Sequence, residues 1–236
     1  MKLRTQTTIY IVLLLIACSP TYKIQSNDNE LIEVQSRADS TILAIIAPYQ
    51  DGIKDKMNEV LTYTKNNLEK GRPQSTIGNF VTDLCLNYAD AHVCIMNNGG
   101  LRTTINKGEI TRGKLYELMP FENELVVLEL DKTDYIGLLN YIGGRGGEPF
   151  SGITITMNNN GEIISNSWPV DFNKGERVKV LTSDYLANGG DAMSFFQEKE
   201  QHKVGIKLRN AIIDYCSKTD TINVILDNRI TILENE

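Results

Sequence analysis

The apolar run Val93-Cys94-Ile95-Met96 ends abruptly at Asn97-Asn98-Gly99-Gly100, and no other stretch limits the fold as sharply. The run reads as a short buried strand. Adjacent glycines reach backbone angles and close approaches that side chains would block, so the chain must turn there. Upstream, residues 77–88 carry Ile77, Phe80, Val81, Leu84 and Cys85 at helical spacing, so a helix feeds the strand.

The same alternation runs along the chain. Residues 125–130 read as a strand, 132–142 as a helix, and Gly143-Gly144-Arg145-Gly146-Gly147 as an open loop before the strand Ile153-Thr154-Ile155-Thr156. Asn158-Asn159-Asn160-Gly161-Glu162 is a hairpin turn, and residues 178–182 are another strand. A helix starts at 193–198, and residues 205–217 form an amphipathic helix with Ile206, Leu208, Ile212 and Ile213. Near the start, residues 31–47 have helical spacing that Pro48 stops, and residues 51–61 repeat it, giving two helices or one kinked helix. Mixed elements of this kind predict an α+β domain over residues 31–236, a mixed sheet with flanking helices. A chain of 236 residues with 41% hydrophobic content can bury one sizeable core.

The first residues point to a compartment. Lys2 and Arg4 precede an uncharged apolar stretch, residues 9–17, too short to span a bilayer. Leu15-Ile16-Ala17-Cys18 resembles the bacterial lipobox, so residues 1–17 are expected to be a lipoprotein signal peptide and Cys18 the lipidated residue. Residues 18–30 then make a polar tether, and the protein is expected in the bacterial cell envelope, lipid-anchored on the periplasmic side or the cell surface. Removing residues 1–17 takes two of the 24 basic residues and leaves 22 against 30 acidic ones. Cys85, Cys94 and Cys216 remain, either as one disulfide with a spare thiol or as three buried thiols.

Charge and histidine count exclude two function classes. No stripe of Lys or Arg runs through this acidic chain, which argues against a nucleic-acid polymer as partner. His92 and His202 lie far apart, without the spacing that a two-metal phosphatase site needs. Three loops could carry chemistry: Asn97-Asn98-Gly99-Gly100-Leu101-Arg102, Pro120-Phe121-Glu122-Asn123, and the run from Asp184 through Tyr185, Gly189 and Gly190 to Asp191. They offer aromatic faces for a base, a carboxylate for a ribose diol and a guanidinium for a phosphate. Ser183 is a potential nucleophile, but no base lies near it in sequence.

The order of these loops, with Ile77-Gly78-Asn79-Phe80-Val81-Thr82-Asp83, Gly108-Glu109-Ile110-Thr111 and Phe150-Ser151-Gly152, resembles the C-terminal domain of the 5'-nucleotidase family. The resemblance implies that Phe121 and Tyr185 sandwich the base, with Tyr185 standing where Phe is common. It implies that Asn97 reaches the base edge, Arg102 the phosphate and ribose side, and Asp191 the ribose hydroxyls. Gly99, Gly100, Gly189 and Gly190 would let the backbone turn beneath the ligand. Pro73 departs from the pattern, because the family usually has an arginine there, and Arg72 is its neighbour.

The family's metallophosphoesterase domain, which holds two metal ions and the catalytic histidine, is expected to be missing from this chain, with the expected signal peptide in its place. The resemblance therefore implies a nucleotide-binding half of a 5'-nucleotidase-type hydrolase, acting in nucleoside 5'-monophosphate dephosphorylation and nucleotide catabolism. It implies no catalytic residue and no metal ligand in this chain, with divalent metal ions expected in a separate metallophosphatase partner. The alternative is a non-enzymatic lipoprotein that captures nucleosides or nucleotides.

Overall fold

The computed structural model describes residues 39–233. The expected signal peptide, Cys18 and tether, and the start of the first expected helix, lie outside the described residues. The chain divides into two units, residues 1–45 and 46–236. In chain order the elements are α1 (Ser40–Asn58), β1 (Val60–Thr64), α2 (Thr76–Cys85), β2 (Val93–Ile95), β3 (Gly108–Thr111), α3 (Arg112–Leu118) and β4 (Glu124–Leu130). There follow α4 (Lys132–Gly144), β5 (Phe150–Ser151), β6 (Ile155–Asn158), β7 (Ile163–Asn166), β8 (Val178–Ser183) and α5 (Asp184–Ala187). The chain closes with β9 (His202–Lys207), α6 (Leu208–Lys218), β10 (Thr221–Ile222) and β11 (Ile230–Leu233).

A five-stranded sheet of order β5-β2-β8-β4-β9 is the frame. Its central strands β2 and β8 are parallel, and the remaining pairings are antiparallel. Its central strands are apolar on both faces because each face has its own core. Cys94, Leu125 and Leu181 point into a core shared with α2 and α6, whereas Val93, Ile95, Val126 and Val180 point into one shared with α4. Two three-stranded sheets, β10-β1-β3 and β11-β6-β7, flank this frame. Helix α2 starts where the Ser75 hydroxyl accepts the Gly78 N–H at 3.0 Å, and it buries the whole expected face from Ile77 to Cys85. The α+β fold is as expected, a mixed sheet with flanking helices.

Several boundaries differ from the sequence reading. Helix α1 continues through Pro48, so the missing N–H donor costs a hydrogen bond without ending the helix. It stops at Asn58, and the last two residues of the second expected helical run, Val60 and Leu61, open strand β1, which pairs with β3. Gly143 and Gly144 belong to α4 rather than to a loop. A Cβ on Gly143 would stand 2.1 Å from the Gly161 carbonyl, so this glycine permits a close crossing of helix and hairpin.

Residues 193–198 make one 3-10 turn, Ser194–Phe196, because positive φ at Asp191, Ala192 and Glu198 confines it. Residues 202–207 form strand β9 instead of opening the last helix. Val204 and Ile206 face the core at a period of two, with Gly205 at φ 83° beside a register shift against β4. Cys85, Cys94 and Cys216 are three buried free thiols, so of the two sequence readings the second holds.

Candidate functional site

The sheet order brings the three loops to one edge. Because β2 and β8 run parallel, the loops that follow them, residues 97–102 and 184–191, leave from the same end. Strand β4 runs against β8 with Leu125 opposite Ser183, so residues 120–123, which precede it, arrive there too. The result is a cavity of 290 Å³ lined by Asn97, Gly99, Gly100, Arg102, Phe121, Asn123, Tyr185 and Asp191. Of the nine residues given a role from the sequence, seven are in that lining, and Gly189 and Gly190 are not. A larger hollow of 660 Å³ beside Trp168 contains none of them.

Short contacts fix the polar side. Asn97 Nδ2 donates to Asp191 Oδ2 at 2.6 Å, joining loops 94 positions apart in sequence. That bond leaves the amide oxygen of Asn97 beside Gly100, where an added Cβ would stand 2.7 Å away. The Gly100 N–H donates to the Asn97 carbonyl at 3.0 Å, closing the turn foreseen at the two glycines. Arg102 reaches back to the Gly99 carbonyl at 3.0 Å through Nη1 and is otherwise exposed.

Phe121 and Tyr185 are 42% and 45% exposed, so each offers a bare ring surface at the cavity. The Tyr185 ring lies over Gly190, and its hydroxyl accepts the Asp191 N–H at 3.2 Å. Asp191 is held at φ 52°, with its carbonyl accepting the Tyr141 hydroxyl at 3.0 Å. Burial pushes the Tyr141 hydroxyl up to about 12, so it keeps its proton and remains a donor at neutral pH.

Beneath this loop sits a buried carboxylate that sequence reasoning missed. Glu148 accepts the Asn98 N–H at 2.7 Å, Arg145 Nε at 3.1 Å and Arg72 Nη2. The hydrogen bond that Arg145 donates to Glu148 holds the guanidinium charged above its ordinary range, and Arg145 Nη2 stands 4.0 Å from Asp191 Oδ2. Arg72, the neighbour of the unusual Pro73, thus turns to Glu148 and the Gly147 carbonyl and does not line the cavity. Nothing in the sequence marks Glu148, a lone acid after two glycines. Tyr141 reads there as a helix residue, and Arg145 as part of a loop.

The remaining candidates are structural. The Ser183 hydroxyl caps α5 by accepting the Leu186 N–H at 3.3 Å. His92 Nδ1 accepts the Lys179 N–H at 3.0 Å, a backbone tie beside β8. Among the described residues, no group of three or more His, Cys, Asp or Glu side chains could hold a metal ion.

Comparison with known proteins points the same way. The chain is 32% identical over 175 residues to the trifunctional nucleotide phosphoesterase protein YfkN of Bacillus subtilis (strain 168), covering 64% of this chain and 12% of that protein. It is 26% identical over 172 residues to a 5'-nucleotidase of Vibrio vulnificus (strain CMCP6), covering 68% of this chain and 31% of that one. The fold matches a 5'-nucleotidase precursor from Thermus thermophilus with a TM-score of 0.67 and 23% identity, over 80% of this chain and 42% of that chain. The chain thus spans less than half the length of each. Residues 59–198 match the family model described as 5'-nucleotidase, C-terminal domain, and these residues include every one that lines the cavity. A match over more than half of the chain, centred on the site itself, makes this protein a member of the 5'-nucleotidase C-terminal domain family.

Proposed function

We propose that this protein is the nucleotide-binding half of a 5'-nucleotidase-type hydrolase, taking nucleosides and nucleoside 5'-monophosphates in the cavity between Phe121 and Tyr185. The observation that carries the reading is the convergence of two half-bare aromatic rings, one carboxylate and one free-ended guanidinium on a single 290 Å³ cavity. Stacking uses the rings, the ribose diol donates to Asp191, and Arg102 meets the phosphate side.

The affinity follows from those contacts. Two stacks contribute about 1–3 kcal/mol each, and two charge-assisted sets about 1.5–3 each. Association costs about 4 kcal/mol or more. The balance is a dissociation constant of roughly micromolar to millimolar.

Hydrolysis needs metal ions, and the described residues supply no site for them, so no hydrolytic step is assigned to them. In this reading a separate metallophosphatase, exported to the same membrane, docks at the cavity rim and brings the metals and the attacking water. Cys18 anchors the protein in the cell envelope.

Calorimetric titration with adenosine and AMP, beside Phe121→Ala and Tyr185→Ala, tests the site. Binding weakened in both variants supports it, and no binding by the parent at millimolar ligand sinks it. Co-expression with exported metallophosphatases and size exclusion tests the partner. Binding with no complex against any of them replaces the hydrolase reading with that of a nucleotide-capturing lipoprotein. Loss of the protein from the membrane fraction in Cys18→Ser tests the anchor.

A further inference from the structure

We infer that Arg209 is the positioning residue of the base-stacking ring Phe121, although it lies outside the cavity; the inference rests on the nucleotide-binding reading. Arg209 is only 5% exposed, in the first turn of α6. Its Nη1 donates to the Met119 carbonyl at 3.3 Å and the Phe121 carbonyl at 3.2 Å, and Nη2 pairs with the Glu122 carboxylate. The guanidinium carbon sits 4.3 Å from the centre of the Tyr116 ring. The preceding residue completes the grip, since the Leu208 N–H donates to the Asn123 carbonyl at 2.9 Å. The start of one helix therefore holds three alternate carbonyls of residues 119–123, and the exposed Phe121 ring stands in the middle of that stretch.

The arrangement is costly for a plain loop tie. Burying a guanidinium is unfavourable unless its donors are used, and Arg209 Nε is buried without an acceptor. Water could satisfy the same carbonyls on an exposed loop. What water cannot do is fix the loop backbone at one height, and a flat ring that stacks on a base needs its plane held to a fraction of an ångström. Arg209 thus acts on the ligand through Phe121 alone, and its effect must vanish when that ring is removed.

The test is a double-mutant cycle in the full chain, with adenosine affinity followed by NMR titration into the millimolar range. Arg209→Lys keeps the charge but loses the fork, and is expected to weaken binding about tenfold, the span of one decade in dissociation constant. In a Phe121→Ala background, Arg209→Lys is expected to change affinity by less than about twofold. Equal weakening in both backgrounds overturns the inference, as does parental affinity in Arg209→Lys. If Phe121→Ala alone binds adenosine like the parent, the nucleotide-binding reading falls as well, which separates the two failures. Should Arg209→Lys not fold, Glu122→Gln at the exposed end of the clamp carries the cycle, with a smaller loss that must again vanish without Phe121.

Discussion

Gly190→Ala should damage the cavity without removing any lining side chain. A Cβ at that position would stand 2.5 Å from the Tyr185 ring carbon Cζ and 2.6 Å from the Tyr185 carbonyl. The ring could swing away, but the carbonyl belongs to the turn that α5 begins. Relief therefore requires a backbone shift as well as a new rotamer. Overpacking of this kind costs about 1–3 kcal/mol of stability. A displaced Tyr185 also gives up its stack, a further loss of about 1–3 kcal/mol in binding. That corresponds to roughly 5- to 150-fold in dissociation constant.

Thermal unfolding without ligand reads the first loss, and calorimetry with adenosine reads the second. An unchanged melting temperature together with parental affinity would refute the close approach of Tyr185 and Gly190. A lowered melting temperature with parental affinity would refute only the stacking role of Tyr185.

Further outcomes follow from other parts of the molecule. Glu148→Gln weakens the tie between Asn98 and the two arginines, whose side chains are 41–43% exposed and can rehydrate. A loss of about 2 kcal/mol in urea unfolding is expected, below the full value for a broken buried pair. No loss would show that the carboxylate does not hold the loop. The hydrogen bond from Arg229 lowers the Asp227 carboxyl to about 2, whereas an unfolded aspartate ionises near about 3.9. Its stabilisation is therefore present above about pH 4 and is lost as pH falls toward 2. Urea midpoints across that window should fall less steeply in Asp227→Asn, and parallel curves would contradict the assignment. Burial raises the Cys94 thiol well above its usual range and Cys216 to about 12. A water-soluble thiol reagent at pH 8 should thus leave Cys94 and Cys216 unmodified until denaturant is added, as burial alone should leave Cys85, and rapid labelling would show that their shared core opens.

How much of this was legible depended on how local each signal is. The strands at 93–96, 125–130 and 178–182 stood out because burial on both faces demands unbroken apolar runs. The turn at Gly99 and Gly100 stood out because the approach of Asn97 excludes a side chain there. The loop motifs gave seven of the eight lining residues before any contact was known. The second half of strand β9 was misread because residues 205–207 continue into a true helix, and only pairing with β4 distinguishes a period of two from a first helical turn. The supporting residues were invisible for a different reason. Glu148, Tyr141 and Arg209 act through partners that are mostly 50 to 90 positions away, on elements whose neighbourhood the sheet order alone decides. An arginine on an amphipathic helix gives no sign that it faces inward.

The placement of β2 beside β8 also determines when the cavity can come into being. Its walls come from residues 97 to 191, and the clamp beneath Phe121 arrives with residue 209, so none of it can assemble while the chain is still being made as far as β7. Closing such distant segments is slow compared with forming local helices, because loop-closure entropy must be overcome before the paired strands give stability. A ribosome-bound chain, or a fragment, that ends before α5 would carry the Asn97 loop without the Asp191 that orients it. One that ends before α6 would carry the Phe121 loop without its tie. The cavity is thus complete, with its tie beneath Phe121, only when α6 docks.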